Sequence, residues 1–208
     1  MVKKKDLKSK SNIIRVAFAL FLEKGYKEVT IKNIMEATNL SKGAIYHHFE
    51  SKEEIYYATI ETYYINLFQT TGLEVMSDNF KDNIELIYHF AANLFSSIET
   101  LTEEGMDFPI RNFYSFQLNS ENNDIIRKKI RSTVFEYRDI INKIVSMAME
   151  QKQIREDLDI DAITLQIIGM IEGIALNHST IRNNIKELLT EKYKLAFDDY
   201  FKMICANN

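Results

Sequence analysis

Proline and glycine are scarce in this 208-residue chain, with one Pro (Pro109) and six Gly. Apolar residues recur at three-and-four spacing throughout, so a chain this poor in breakers is expected to be all-α. The single cysteine, Cys205, cannot close an internal disulfide, which excludes a disulfide scaffold and suits a reducing compartment. The start, Met1-Val2-Lys3-Lys4-Lys5, is basic but no apolar h-region follows it, so no secretory signal is expected. No stretch reaches the ~18 uninterrupted apolar residues of a membrane span. The nearest, Ile163 to Leu176, is broken by Gln166 and Glu172, and a soluble, cytoplasmic protein is expected. Catalytic signatures are missing too. There is no phosphate-binding glycine loop, nucleophile elbow or metal-spaced His/Glu motif, so no enzyme activity, cofactor or metal site is expected. The adjacent pair His47-His48 does not change this, because neighbours on a helix point about 100° apart.

The chain carries charge of both signs, unevenly placed. Overall the net charge is −4, yet eleven Lys/Arg oppose five Asp/Glu through Lys52, a net of +6. The remainder, fifteen against twenty-five, carries −10. A basic head on an acidic body is what a protein meeting phosphate at one end requires, although a solvated lysine-rich terminus would look the same.

Within the head, a first helix is expected over about Ser9–Lys24, with Ile14, Ala17, Phe18, Phe21 and Leu22 on one stripe. Gly25 suits its C′ position, and Tyr26 can fold back on the last turn. Thr30 is placed to N-cap a short helix that buries Ile31, Ile34 and Ala37. Thr38-Asn39-Leu40 then turns the chain, Leu40 plugging the space between helices, and Ser41 N-caps a third helix with Ile45 and Phe49 inward. Ser51-Lys52-Glu53-Glu54 reads as a capping box opening a long fourth helix. Two short helices joined by a tight turn behind a supporting helix make a helix-turn-helix, whose outer face suits the major groove of double-stranded DNA. The expected contacts are Thr30, Lys32, Ser41, Lys42, Gly43, Ala44, Tyr46, His47 and Lys52. Small residues admit the backbone, cations and helix N-termini take phosphate, and Tyr46 and His47 supply donors to phosphate or base edges. Thr30, Ser41 and Ser51 also serve as caps whatever the protein does.

The string from Ile14 to Tyr57 resembles the tetracycline-repressor-like (TetR) family. The matching residues are Ala17, Phe21, Gly25-Tyr26, Thr30-Ile31, Ile34, Ala37, the run Leu40-Ser41-Lys42-Gly43-Ala44-Ile45-Tyr46-His47-His48-Phe49, and Ser51-Lys52-Glu53-Glu54. A small departure lies at Asn33-Ile34-Met35-Glu36, where such proteins often place an acid before Ile and Ala after it. The resemblance implies an all-helical homodimer of about nine helices per subunit, and repression relieved by a small effector bound in a divergent C-terminal domain. It implies a DNA-binding domain over 1–54 and a ligand-binding and dimerisation domain over 55–208.

In the body, helices are expected from Ser51 to about Thr71, ended by Gly72, from about Asn79 to Leu101, and from about Asp124 to Lys152. Breaks are expected over Thr102–Pro109 and Asn119–Asp124. Two further helices follow, one capped by Asp161 and reaching about Ile181, the other about Ile185–Ile204. Gly169 and Gly173 leave a bare stripe suited to close helix packing, either within the subunit core or across a four-helix dimer interface. The expected interface residues are Ile168, Gly169, Glu172, Gly173, Leu189, Ala196, Phe197 and Tyr200. Aromatic residues crowd this part, and they fill cores as readily as they line cavities. Candidates for holding an effector of apolar or aromatic character are Tyr63, Tyr88, His89, Arg111, Asn112, Phe113, Gln117, Glu172, Asn177 and His178. The alternatives are an enzyme with an unrecognised active site in the C-terminal domain, and a sensing or protein-binding module that no longer touches DNA. Loss of Lys42, Tyr46 or Lys52 would mark it, and all three are present.

Overall fold

The computed structural model describes residues 2–67, 77–101, 105–119 and 124–206. Among them every regular element is a helix. α1 runs Val2–Lys24, α2 Ile31–Thr38 and α3 Lys42–His48. α4 comprises Lys52–Thr59, a π-helical turn over Ile60–Tyr64 and the stretch Ile65–Leu67. Then come α5 (Phe80–Glu99), α6 (Pro109–Asn119), α7 (Asp124–Glu150), α8 (Ile160–Asn177) and α9 (Ile185–Ile204). Nine helices in this sense match the expected all-α architecture. The expected end of α4 at Thr71 and Gly72 lies outside the described residues, as do residues 102–104 and 120–123 of the two expected breaks.

Helix ends follow local chemistry. α1 stops at Gly25, whose φ of +79° is the left-handed conformation that a C′ residue needs and a side chain resists. α1 begins earlier than Ser9, because nothing in Lys3–Lys8 breaks a helix once the apolar stripe behind it is anchored. The cap of α8 is Asp159, not Asp161: its carboxylate accepts from the Ala162 amide at 2.7 Å, and the helix ends at Asn177 rather than Ile181. His178 closes that end, its Nδ1 2.7 Å from the Ile174 carbonyl.

The core is continuous from head to body. α1 packs on α2, α4 and α6, α5 lies along α9, and α7 and α9 flank α8. The expected boundary between residues 54 and 55 falls inside α4, and buried aromatics cross it: Phe18 of α1 meets Phe116 of α6 edge-on at 5.7 Å. Arg15 of α1 donates to the Leu101 carbonyl beyond α5, a second tie between head and body. Ala37, expected inside, is exposed, since α2 turns Ile34 inward and leaves Ala37 at a groove edge beside Arg15 and Arg111.

α8 has two faces. Ile163, Ile167, Ile171 and Ala175 lie in the core, while Leu165 and Leu176 are 55% and 48% exposed. The helix is long and apolar enough by composition to cross a membrane, yet only 28% of it is buried within the single chain. Among the described residues nothing covers its outer stripe.

Candidate nucleic-acid interface and body cavity

Three caps set the geometry of the head. The Thr30 hydroxyl accepts from the Asn33 amide at 3.2 Å, and the Asn33 side-chain oxygen accepts from the Thr30 amide at 2.8 Å. This reciprocal box fixes the start of α2, and Asn33, at the point where the family pattern is departed from, supplies half of it. The Ser41 hydroxyl accepts from the Ala44 amide at 3.2 Å, and that of Ser51 from the Glu54 amide at 3.1 Å. The Glu54 carboxylate takes the Glu50 amide rather than that of Ser51, so the second box closes one residue early.

α3 presents a clear outer face. Ile45 and Phe49 are buried, while Lys42, Gly43, Tyr46 and His47 are exposed and Ala44 is half-buried. A Cβ built on Gly43 meets nothing within 4 Å among the described residues, so no packing among them requires a glycine there. The Lys42 ammonium lies over the Tyr46 ring at 5.7 Å, and the His47 and His48 rings are 5.1 Å apart. Lys32, on α2, is paired with Glu36 at 3.7 Å in full solvent exposure, a contact weak enough to exchange for phosphate.

Lys52 is engaged inside the head. Its ammonium donates to the carbonyls of Tyr26 and Val29, both at 2.8 Å, and stands 4.2 Å from the centre of the Tyr26 ring. Burial lowers its pKa and the Glu28 carboxylate partly restores it. Lys52 thus pins the turn between α1 and α2 to α4, a role that the spacing of residues did not announce because its partners are backbone carbonyls 26 and 23 positions away. An ammonium has three donors, so one is left to reach outward.

The ten candidate effector residues do not gather at one place. Phe113, Gln117 and Glu172 line a cavity of about 60 Å³ between α5, α6, α7 and α8. Tyr63 stacks on Phe18 at 5.3 Å, at the junction of head and body. Tyr88 stacks on Phe197 at 5.7 Å, and burial together with Glu85 pushes its hydroxyl up to about 12. His89 faces Glu85 at the surface. Arg111 lies over Phe108 at 4.3 Å and donates to the Asn112 side chain, which in turn holds the Asp107 carbonyl at 2.8 Å. Asn177 and His178 bond the carbonyls of Gly173 and Ile174 one turn back. Of these seven, Arg111 and Asn112 line a groove between α1 and α6 and Tyr88 a groove between α5 and α9, apart from the cavity that holds Phe113, Gln117 and Glu172. The cavity also contains Tyr137, which the sequence reading passed over; its place four residues before the buried Ile141 on α7 was the available signal.

Among the expected interface residues, Leu189, Phe197 and Tyr200 are 0%, 0% and 6% exposed and belong to the subunit's own core. The Tyr200 hydroxyl donates to Gln166 at 2.6 Å, which locks α9 to α8. Gly169 and Glu172 are exposed, and Ile168, Gly173 and Ala196 are half-buried. The open stripe of α8 thus runs from Leu165 past Gly169 and Glu172 to Leu176.

Residues 13–59 match the model of the bacterial regulatory proteins of the tetR family. The chain is 37% identical over 81 residues to the biofilm operon icaADBC HTH-type negative transcriptional regulator IcaR of Staphylococcus epidermidis, a match covering 39% of this chain and 42% of that protein, less than half its length. It is 27% identical over 189 residues to the HTH-type transcriptional repressor DhaR of a Mycobacterium species, covering 91% and 90% of the two chains. A TetR transcriptional regulator from Chloroflexus aurantiacus superposes with a TM-score of 0.66 at 25% identity, covering 98% of this chain and all of the other. A regulator of the same family from Cytophaga hutchinsonii gives 0.66 at 21% identity, covering 98% of both chains.

Proposed function

Because this chain belongs to the tetR family of bacterial regulatory proteins, we propose that it is a ligand-responsive transcriptional repressor that binds a two-fold symmetric operator as a homodimer. The observation that carries this is the outer face of α3, where Lys42, Gly43, Tyr46 and His47 stand open and the space over Gly43 is filled by nothing in the subunit. Residues 1–54 are the DNA-binding part, and residues 55–208 hold the effector and the dimer interface. The protein works in the cytoplasm, where its operator is.

Dimerisation uses the outer stripe of α8 together with exposed residues of α9 such as Leu195, and a second copy supplies the cover that the apolar stripe lacks. The effector occupies the body cavity. From there an unbroken aromatic path leads to the head. Phe113 lines the cavity and stacks on Tyr64 of the π-turn at 5.7 Å; Tyr64 meets Phe116, which touches Phe18 of α1. An effector that displaces Phe113 acts directly on α4 and α1, and the spacing of two DNA-reading heads depends on those helices.

Anisotropy titration of the chain's own promoter DNA tests the reading. Lys42→Ala should weaken binding to all sequences alike and lower the salt slope by about one. His47→Ala should alter the sequence preference instead. If the wild-type protein binds that DNA no better than random DNA, the reading fails.

A further inference from the structure

The body cavity has a chemistry of its own. Five rings surround it: Phe90 and Tyr137 stack at 6.1 Å, while Phe95, Phe113 and Tyr114 pack on one another at 5.5 to 6.0 Å. Among the described residues that line it stands one charge, Glu172, and none is Lys, Arg or His. Among the described residues no cation pairs with Glu172, and desolvation is the cause that raises its pKa. The hydroxyl of Tyr137 is buried and has no hydrogen-bond partner among the described residues. Glu172 acts on the hydroxyls of both Tyr114 and Tyr137, so the carboxylate and the orphan hydroxyl share one neighbourhood.

We propose that this cavity selects an organic cation, a protonated amine on an apolar carrier, with Glu172 as counter-ion and the aromatic rings as its walls. Ring faces carry negative potential and attract a cation, most strongly where water is excluded. An ammonium N–H can donate to the Tyr137 hydroxyl, which satisfies a buried polar atom that has no partner among the described residues. A carboxylate ligand would meet Glu172 with like charge and find no cation in exchange. A neutral ligand would leave Glu172 partly desolvated and uncompensated. The cavity, about 60 Å³, takes an ammonium head and a few carbons. Val134, on α7 and 37% exposed, stands at the rim of the cavity, where a longer carrier extends.

The inference rests on the reading of the body as an effector domain, and its test is made without DNA. Calorimetric titration of the full-length protein with hexylammonium, 1-hexanol and hexanoate varies only the head group. Hexylammonium should bind at least about tenfold more tightly than hexanol, and hexanoate should show no binding. Glu172→Gln should bring hexylammonium and hexanol to within about twofold of each other. Tyr137→Phe should weaken hexylammonium but not hexyltrimethylammonium, which has no N–H to donate. Equal binding of alcohol and ammonium by the wild-type chain, or tighter binding of hexanoate, overturns the proposal even if neither variant folds. A chain that binds its promoter yet shows no preference for the ammonium overturns this inference alone. One that takes the ammonium but ignores DNA overturns the regulatory reading and leaves this one standing.

Discussion

At Gly43 the backbone of α3 is bare, and a methyl group there would meet nothing in the subunit. Glycine inside a helix costs about 1 kcal/mol relative to alanine. Gly43→Ala should therefore raise thermal stability or leave it unchanged, while operator affinity falls by at least about tenfold if the groove wall approaches that backbone. Melting and anisotropy measured on the same preparation would decide it; an alanine variant with undiminished affinity would show that the bare backbone is not used. Lys52 teaches the opposite lesson. It serves the fold through two carbonyls and an aromatic face, so Lys52→Ala would lower head stability and DNA affinity together and is a poor probe of contact. Glu172 gives a third case. Its folded pKa is raised by desolvation above the ordinary 4.5. Its contribution to stability is thus full below that value and is lost as pH rises through the folded pKa. Relative to Glu172→Gln, the wild-type protein should gain stability as pH falls from 7 toward 4.5, seen in urea unfolding at successive pH values. Parallel curves for the two proteins would refute this.

Helices α4 and α8 carry the two proposed roles that belong to elements rather than to residues, the link from head to body and the dimer interface. The π-turn over Ile60–Tyr64 places one extra residue in α4 where it leaves the head for the body. Such turns displace a helix locally without ending it, and Tyr64, the last residue of this one, stacks on Phe113. The Lys129–Glu61 ion pair joins the same turn to α7. On α8, a side chain at Gly173 would find open space in the single subunit. Gly173→Glu should therefore fold normally, yet place charge on the stripe proposed to pack against a second copy, and the protein should become monomeric in light scattering. A dimer of unchanged mass would move the interface elsewhere.

Over the whole molecule, charge separates along the chain, +6 through Lys52 and −10 beyond it. The acidic body is repelled by DNA and the head is drawn to it, so the field orients the encounter as well as strengthening it. Operator binding should be steeply salt-dependent: with six or more phosphate contacts per dimer, affinity should drop at least about 10³-fold between roughly 50 and 200 mM salt. A shallow slope in the same titration would mean that the basic residues of the head do not meet phosphate. The continuous core adds that head and body are one mechanical unit: a displacement in the cavity has a packed route through Phe113, Tyr64, Phe116 and Phe18 to the DNA-reading helices.

The sequence by itself determined the helices of the head, their caps at Thr30, Ser41 and Ser51, the left-handed turn at Gly25 and the inward pair Ile45 and Phe49, because each depends on neighbours within about four positions. It also determined the all-helical class and the span of α9. Only the tertiary structure decided that Lys52 is spent on the backbone of another element, or that Leu189, Phe197 and Tyr200 are core rather than interface. It alone placed Tyr137 beside Glu172. Helical periodicity tells which residues share a face, but not whether that face meets the chain's own core, a second copy or a ligand. That choice depends on how distant helices pack, through contacts between residues far apart in the chain.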